Sequence, residues 1–139
     1  MNDLNESKHE NKVCSGSHYR AYLILRFAFT IAPILAGLDK FFNLLTNWEQ
    51  YLSPQFNVIG DAHTTMMIVG VIEIIAGIGV WLYPRIFSYI IVVWLLAIII
   101  NLLLLGRFFD IALRDLGLLL GALALGSLSE TYSNKKCTQ

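Results

Sequence analysis

Charged side chains interrupt a long apolar run near the end of the sequence, LLLLGRFFDIALRDLGLLLGALALG, residues 102–126. They are Arg107, Asp110, Arg114 and Asp115. Asp110 and Arg114 are one helical turn apart with the acid first, a spacing at which the two charges neutralise one another on a helix. Carboxyl and guanidinium groups in such a setting either pair to hold helices in register or form a site for a polar ligand or a proton.

Polar side chains also interrupt the other apolar segments of the chain. They are Arg26, Asp39, Lys40, Glu73 and Asn101. A charge near the bilayer centre costs about 2.5–3.5 kcal/mol on insertion scales, so each charge must be paired or hydrated. Glu73 is the deepest ionisable group and the main candidate for a proton site. Arg107 is expected only to extend to the outer interface, and Asp39 to face water or a neighbouring helix.

The composition is typical of a membrane protein. Of the 139 residues, 56% are hydrophobic and 14% are charged, whereas a soluble domain has about 25% charged residues. The formal net charge is zero, which offers no basis for nucleic-acid binding. Cys14 and Cys137 lie far apart in polar segments and form no C-x-x-C motif, so no metal site is predicted.

Four apolar segments each have about the 20 residues needed to cross a bilayer. They cover residues 21–45, 64–82, 86–105 and 108–128, between polar tails at 1–20 and 129–139. The short second and third links place consecutive helices antiparallel. We therefore predict an all-α fold, an integral membrane up-down four-helix bundle. The aromatic link at 47–63 is expected to fold as an interfacial segment over one end.

Each predicted span has one face of small or polar residues. Asp110, Arg114, Gly117 and Gly121 share a face of the last span, and the G-x-x-x-G spacing permits close helix approach. Arg114 is therefore predicted to be buried, with Asp110 and Glu73 as its counter-ions. The glycines predicted to serve helix packing are Gly37, Gly70, Gly77, Gly117 and Gly121. The axial rise of a helix places the charged groups of the four spans in one layer, in the half of the bundle nearer the link at 47–63. The orientation predicted below makes this the outer half.

Three helix motifs resemble those of the DoxX-like family of small membrane proteins. They are RFAFTIAPILAGLDKF at residues 26–41, GVIEIIAGIGVWL at 70–82 and RDLGLLLGALAL at 114–125. The likeness covers the chain apart from its tails, and it implies a compact four-helix membrane protein of bacteria or archaea. The positions that the resemblance carries over are Arg26, Gly37, Lys40, Glu73, Gly77, Arg114 and Asp115.

The resemblance also implies a redox setting, because the family is named after a subunit of a thiosulfate:quinone oxidoreductase. The sequence has no paired intramembrane histidines, cysteine pair or nucleotide-binding glycine loop, so electron transfer needs a redox partner subunit or a diffusing quinone. The first hypothesis is an accessory or quinone-proximal subunit of a membrane redox complex, with no bound cofactor of its own. The alternatives are a small proton-coupled transporter or exporter, which would need to form a homo-oligomer, and a purely structural membrane protein.

Basic residues predict the orientation of the spans in the cell membrane. Lys8, Lys12 and Arg20 precede the first span, Arg85 lies in the second link, and two lysines follow the last span, whereas the link at 47–63 has no basic residue. Because basic residues favour the cytoplasmic side, we expect both termini to be cytoplasmic. Reporter fusions at both termini and within the first link test this orientation. A cytoplasmic first link would overturn it and move the charged layer to the inner half.

Overall fold

The computed structural model describes residues 16–57 and 60–134, and in these ranges it contains four α-helices, two 3₁₀ turns and no strand. The helices are α1 (Ser17–Phe42), α2 (Ala62–Leu82), α3 (Pro84–Leu105) and α4 (Phe109–Asn134). The 3₁₀ turns, Trp48–Tyr51 and Pro54–Phe56, lie between α1 and α2. All four helices are long and apolar enough to span a membrane. The prediction of an all-α, four-helix membrane bundle is confirmed.

The first and last helices, α1 and α4, differ in length from the predicted spans. α1 begins at Ser17 and ends at Phe42 because Asn43 adopts a left-handed conformation, with a φ of 49°, and its N–H bonds the Asp39 carbonyl. α4 continues to Asn134, six residues past the predicted boundary at 128. No proline or glycine interrupts the chain there, so the helical hydrogen bonds continue. Residues 1–15 and 135–139, most of the predicted tails, lie outside the described residues.

Local signals set the helix ends that face the links. Asp61 is the N-cap of α2, accepting from the Thr64 N–H at 3.0 Å and the Thr64 hydroxyl at 2.6 Å. These hydrogen bonds lower the pKa of the Asp61 carboxyl from its ordinary value. Tyr83 alone separates α2 from α3, whose first residue is Pro84, a position that needs no N–H donor. α3 ends at Gly106, which has a φ of 68°.

The outer surface of the bundle is apolar. Large side chains that point outwards include Ile24, Phe27, Ile75, Val93 and Leu113. Soluble monomers rarely expose contiguous apolar surface on this scale, whereas hydrocarbon tails solvate it. The helices therefore present a lipid-facing surface, in agreement with the composition.

The helices form a closed ring in chain order. The closest pairings are α1 with α2 and α3 with α4, and contacts of α2 with α3 and of α1 with α4 complete the ring. The start of α1 and the end of α4 lie at one end of the bundle, called here the terminal end, where the Tyr19 and Tyr132 rings meet. The segment between α1 and α2 lies at the other, called here the linker end. The up-down arrangement therefore places Ser17 and Asn134 on the same side of the membrane.

Glycines allow α1 and α2 to approach closely. A Cβ atom added to Gly37 would lie 2.5 Å from the Gly70 carbonyl oxygen, and one added to Gly77 would lie 2.7 Å from the Thr30 carbonyl oxygen. Real Cβ atoms do not come this close to backbone, so any larger residue would force the helices apart. The predicted packing roles of Gly37, Gly70 and Gly77 agree with this geometry.

The two glycines of α4 behave differently from one another. A Cβ atom on Gly121 would lie 3.1 Å from the Phe29 ring, so this position packs against α1. Gly117 is exposed, and a Cβ atom there would have no neighbour within 4 Å among the described residues. The predicted packing role of Gly117 is therefore wrong within this chain, because α4 turns that face away from the other helices.

The apolar core occupies the half of the bundle nearer the terminal end. It draws on the first half of α1, the second half of α2, the first half and middle of α3 and the middle and second half of α4. Its buried members are Tyr22, Phe29, Ala76, Val80, Ile91, Leu95, Leu119, Ala122 and Leu125. Buried charged side chains lie in the other half, so the two halves of the bundle differ in chemistry.

The glycine contacts predict opposite effects for two matched substitutions. Gly77→Ala should destabilise the protein by about 1–3 kcal/mol, because overpacking against the α1 backbone must be relieved. Gly117→Ala should be neutral or stabilise by up to about 1 kcal/mol, because alanine favours the helix and has room there. Thermal unfolding of the purified variants in mild detergent measures both effects. Equal unfolding temperatures for the two variants would contradict the close α1–α2 packing.

Candidate functional site

A buried ion pair joins α1 to α2. Lys40 Nζ donates to Glu73 Oε2 over 2.6 Å, and the two side chains are only 4% and 10% exposed. The close approach at Gly37 and Gly70 brings the pair within reach, since the Gly70 position lies directly beside Lys40 Cβ. Two charges removed from water in this way are tolerated only as partners. The pair therefore holds α1 and α2 in a single register.

Residues 43–57, called here the cap segment, cover the ion pair at the linker end. The Trp48 ring centre lies 3.8 Å from Lys40 Nζ, a cation–π contact. Trp48 Nε1 donates to Asp39 Oδ2 over 2.7 Å, and Asp39 Oδ1 accepts from two backbone N–H groups of the cap segment at 3.0 Å each. Asp39 is buried and organises the cap segment, whereas the sequence suggested that it faces water or a neighbouring helix.

Asn101 attaches the cap segment to α3. Its Oδ1 atom accepts from the Ser53 backbone N–H at 2.9 Å, and its Nδ2 atom donates to the Tyr51 carbonyl at 2.6 Å. The Tyr51 ring also meets the Phe108 ring edge to face, with centroids 4.7 Å apart. The Asn101 side chain, predicted as an intramembrane polar site, thus binds the backbone of the cap segment through both its amide oxygen and its amide nitrogen.

Asp115 brings a second acid to the ion pair. Its side chain is 6% exposed, and its Oδ1 atom accepts from Arg114 Nε over 3.1 Å. Asp115 is close enough to interact electrostatically with both Lys40 and Glu73. Lys40, Glu73 and Asp115 are called here the buried cluster. Arg114, with a side chain 62% exposed, lies at its edge and makes the four charges sum to zero.

Trp94 of α3 lies beside the buried cluster. Its indole neighbours the Glu73 carboxylate, but its buried Nε1 atom has no partner of ordinary hydrogen-bond geometry among the described residues. A buried N–H group without a partner costs about 1–3 kcal/mol. Trp94 is therefore a donor held beside Glu73 that the sequence did not identify, because an apolar helix often carries tryptophan simply for packing.

The orientation of α4 differs from the prediction. Its buried residues include Ala112, Asp115, Leu119, Ala122 and Leu125. Asp110, Arg114 and Gly117 are exposed, so the predicted burial of Arg114 and its pairing with Glu73 are wrong. Apolar and small side chains pack better in the interior, while the long Arg114 side chain can reach the interface. Arg114 pairs with Asp115 rather than Asp110.

Arg26 lies apart from the buried cluster. Its Nη2 atom donates to the Trp81 carbonyl, near the carboxyl end of α2, and its guanidinium carbon lies 5.0 Å from the Trp81 ring centre. A cation at this end of a helix satisfies an orphan carbonyl and interacts favourably with the helix dipole. The structure therefore connects Arg26 to the α2 terminus and separates it from the charged layer that contains Lys40.

The buried cluster contains titratable carboxyl and ammonium groups, and the exposed Arg114 guanidinium lies at its edge. Two carboxylates and one ammonium group lie in the interior, and the Arg114 guanidinium, which is hydrogen-bonded to Asp115, is exposed at the surface of the bundle. Within residues 16–57 and 60–134, no three His, Cys, Asp or Glu side chains are grouped closely enough to hold a metal ion. The arrangement suits proton transfer or recognition of a polar group.

The chain matches no protein-family model, no curated protein and no solved structure. The likeness to DoxX-like proteins therefore rests on the three helix motifs and stays a prediction.

The buried ion pair predicts that removing one partner destabilises the protein and that removing the second partner restores part of the lost stability. Lys40→Met should destabilise the protein by about 3–5 kcal/mol, because it leaves Glu73 buried without its partner. Combining Lys40→Met with Glu73→Leu should restore much of that loss, since two apolar side chains often replace a buried pair at little cost. Thermal unfolding in detergent compares the variants.

Arg114→Leu is the control for that comparison. It should cost less than Lys40→Met, because the Arg114 side chain is mostly exposed. A double variant as unstable as Lys40→Met, or a greater loss with Arg114→Leu, would show that the Lys40–Glu73 pair is not the main charge contact of the bundle.

Proposed function

We propose that this chain is a DoxX-like, quinone-proximal accessory subunit of a redox complex in the cell membrane. The observation that supports the proposal most directly is the placement of two ion pairs, the exposed Arg114 with Asp115 and the buried Lys40 with Glu73, close enough to influence one another electrostatically. A site for a lipid-soluble redox molecule needs access from the membrane and groups that handle its protons. This set of side chains supplies both.

Arg114 fits the carbonyl oxygens of a quinone. A guanidinium group has five N–H donors, and Asp115 takes the one at Nε. Exposed apolar side chains such as Leu113 and Leu118 lie on the same helix and provide a hydrophobic contact for a ring. Arg114 would therefore orient a quinone head group, while the apolar surface around it would exclude water.

The residues behind Arg114 supply the proton chemistry. Asp115 is hydrogen-bonded to Arg114 and lies near Lys40, which donates to Glu73. A proton accepted at Asp115 would lie within the electrostatic influence of a second carboxylate, Glu73, outside the apolar core. Electrons would pass to a partner subunit of the complex, because the sequence contains no redox motif of its own.

The orientation of the chain belongs to the same proposal. With both termini cytoplasmic, as the distribution of lysine and arginine favours, the linker end and the buried cluster would lie in the outer half of the membrane. The proton site would then be nearer the outer surface, and the polar residues at the terminal end would face the cytoplasm.

A purely structural role is the second candidate. It is favoured by the completeness of the Lys40–Glu73 pair, in which Trp48 covers the cation and the cap segment closes the linker end. A transporter receives less support, because a transported ion would need water to reach side chains that are 4% and 10% exposed.

Binding of a short-chain benzoquinone to the purified chain in lipid nanodiscs tests the proposal. Titration followed by tryptophan fluorescence quenching should show saturable binding. Arg114→Leu should weaken this binding about tenfold or more, because a hydrogen bond from a charged donor contributes about 1.5–3 kcal/mol. Arg107→Leu is the matched control: Arg107 is an exposed arginine of the α3–α4 link, and its removal should leave the affinity unchanged.

Unsaturable quenching, or equal affinities for the two variants, would remove the support for a quinone site at Arg114. The structural role would then be favoured. Copurification of a redox enzyme from a mild-detergent extract of the native membrane would independently support the subunit assignment.

A further inference from the structure

A lipid-facing groove lies between α2 and α3, away from Arg114. Its volume is about 640 Å³, and most of its wall consists of apolar side chains such as Ile72, Ile86, Ile90 and Val93. It extends along α3 from Arg85 to Ala97, which corresponds to about 18 Å of helix. One leaflet of the hydrocarbon core is about 15 Å thick. The groove therefore has the length of one lipid chain in the leaflet at the terminal end.

Polar side chains meet at the terminal end of the groove. Arg85 Nε lies 3.9 Å from Glu130 Oε1, and the two side chains are 50% and 44% exposed. The Tyr89 hydroxyl donates to the same Glu130 oxygen over 3.2 Å. A pair this long and this exposed contributes little to stability. Its cation and its anion are both positioned to accept a second partner at the level of the lipid head groups.

Trp94 lines the groove towards its other end. Its side chain lines the groove and neighbours Glu73, so the indole separates the apolar groove from the buried cluster. A hydrocarbon chain that fills the groove would pack against this wall. It would thereby shield the Glu73 side of the cluster from the membrane.

We propose that the groove binds one zwitterionic phospholipid with a primary amine head group, such as phosphatidylethanolamine. Arg85 would bind the phosphate through paired N–H donors, and Glu130 would accept hydrogen bonds from the ammonium group. One acyl chain would lie along the groove towards Trp94. An anionic phospholipid would meet the Glu130 carboxylate without an amine to pair with it, and a choline head group offers no N–H donor. This site does not depend on the proposed quinone function.

Lipid exchange on the purified full chain tests the proposal, with native mass spectrometry as the readout. Phosphatidylethanolamine, phosphatidylglycerol and phosphatidylcholine with identical acyl chains are the probes. Phosphatidylethanolamine should be retained as a single copy, with a preference of about tenfold over the other two lipids. Charge-assisted hydrogen bonds give affinity differences of this size. Equal retention of the three lipids would overturn the proposal.

Variants assign any retained lipid to the groove. Glu130→Gln should abolish the preference over phosphatidylglycerol, because it removes the carboxylate that disfavours a second anion. Val93→Trp should fill the groove and prevent retention. Leu120→Trp places the same bulk on an exposed position of α4 outside the groove and should retain the lipid. Unchanged retention with Val93→Trp, or an unchanged preference with Glu130→Gln, would show that the lipid binds elsewhere.

Discussion

Burial of the Lys40–Glu73 ion pair is the constraint on which the rest of the linker-end half depends. Two charges that leave water must meet at hydrogen-bond distance, and this requires α1 and α2 to approach within the reach of one lysine side chain. The glycines at 37 and 70 permit that approach. The cation then needs cover at its free side, which Trp48 provides. The packing, the cap segment and the charge balance therefore follow from a single contact.

The two halves of the bundle are held together by different interactions. The half at the terminal end buries side chains such as Phe29, Val80 and Leu125, and its stability comes from close packing between apolar surfaces, as in other membrane bundles. The half at the linker end has less apolar packing and more polar contacts. Among these contacts, Asp39 and Asn101 attach the cap segment to the helices. An apolar half thus adjoins a half whose helices and cap segment are joined by polar contacts.

Both lipid-accessible polar features lie towards helix ends. Arg114 is in the second turn of α4, and the Arg85–Glu130 pair joins the start of α3 to the end of α4. Charged side chains at these depths can reach the head groups, whereas the same charges at the bilayer centre would need internal partners. The proposed proton chemistry at one end and the proposed lipid recognition at the other are therefore compatible with one small bundle.

The sequence alone determined the four spans, their up-down order and the presence of one face of small or polar residues on each span, because length, composition and helical spacing are local properties. It did not determine which face of α4 points inwards. In a membrane both lipid and protein surroundings are apolar, so leucines on every side of a helix do not distinguish its faces. Arg114 and Asp115 are adjacent in sequence yet about 100° apart around the helix axis. Only the packing against Lys40 and Glu73 decided that Asp115 is buried and Arg114 exposed.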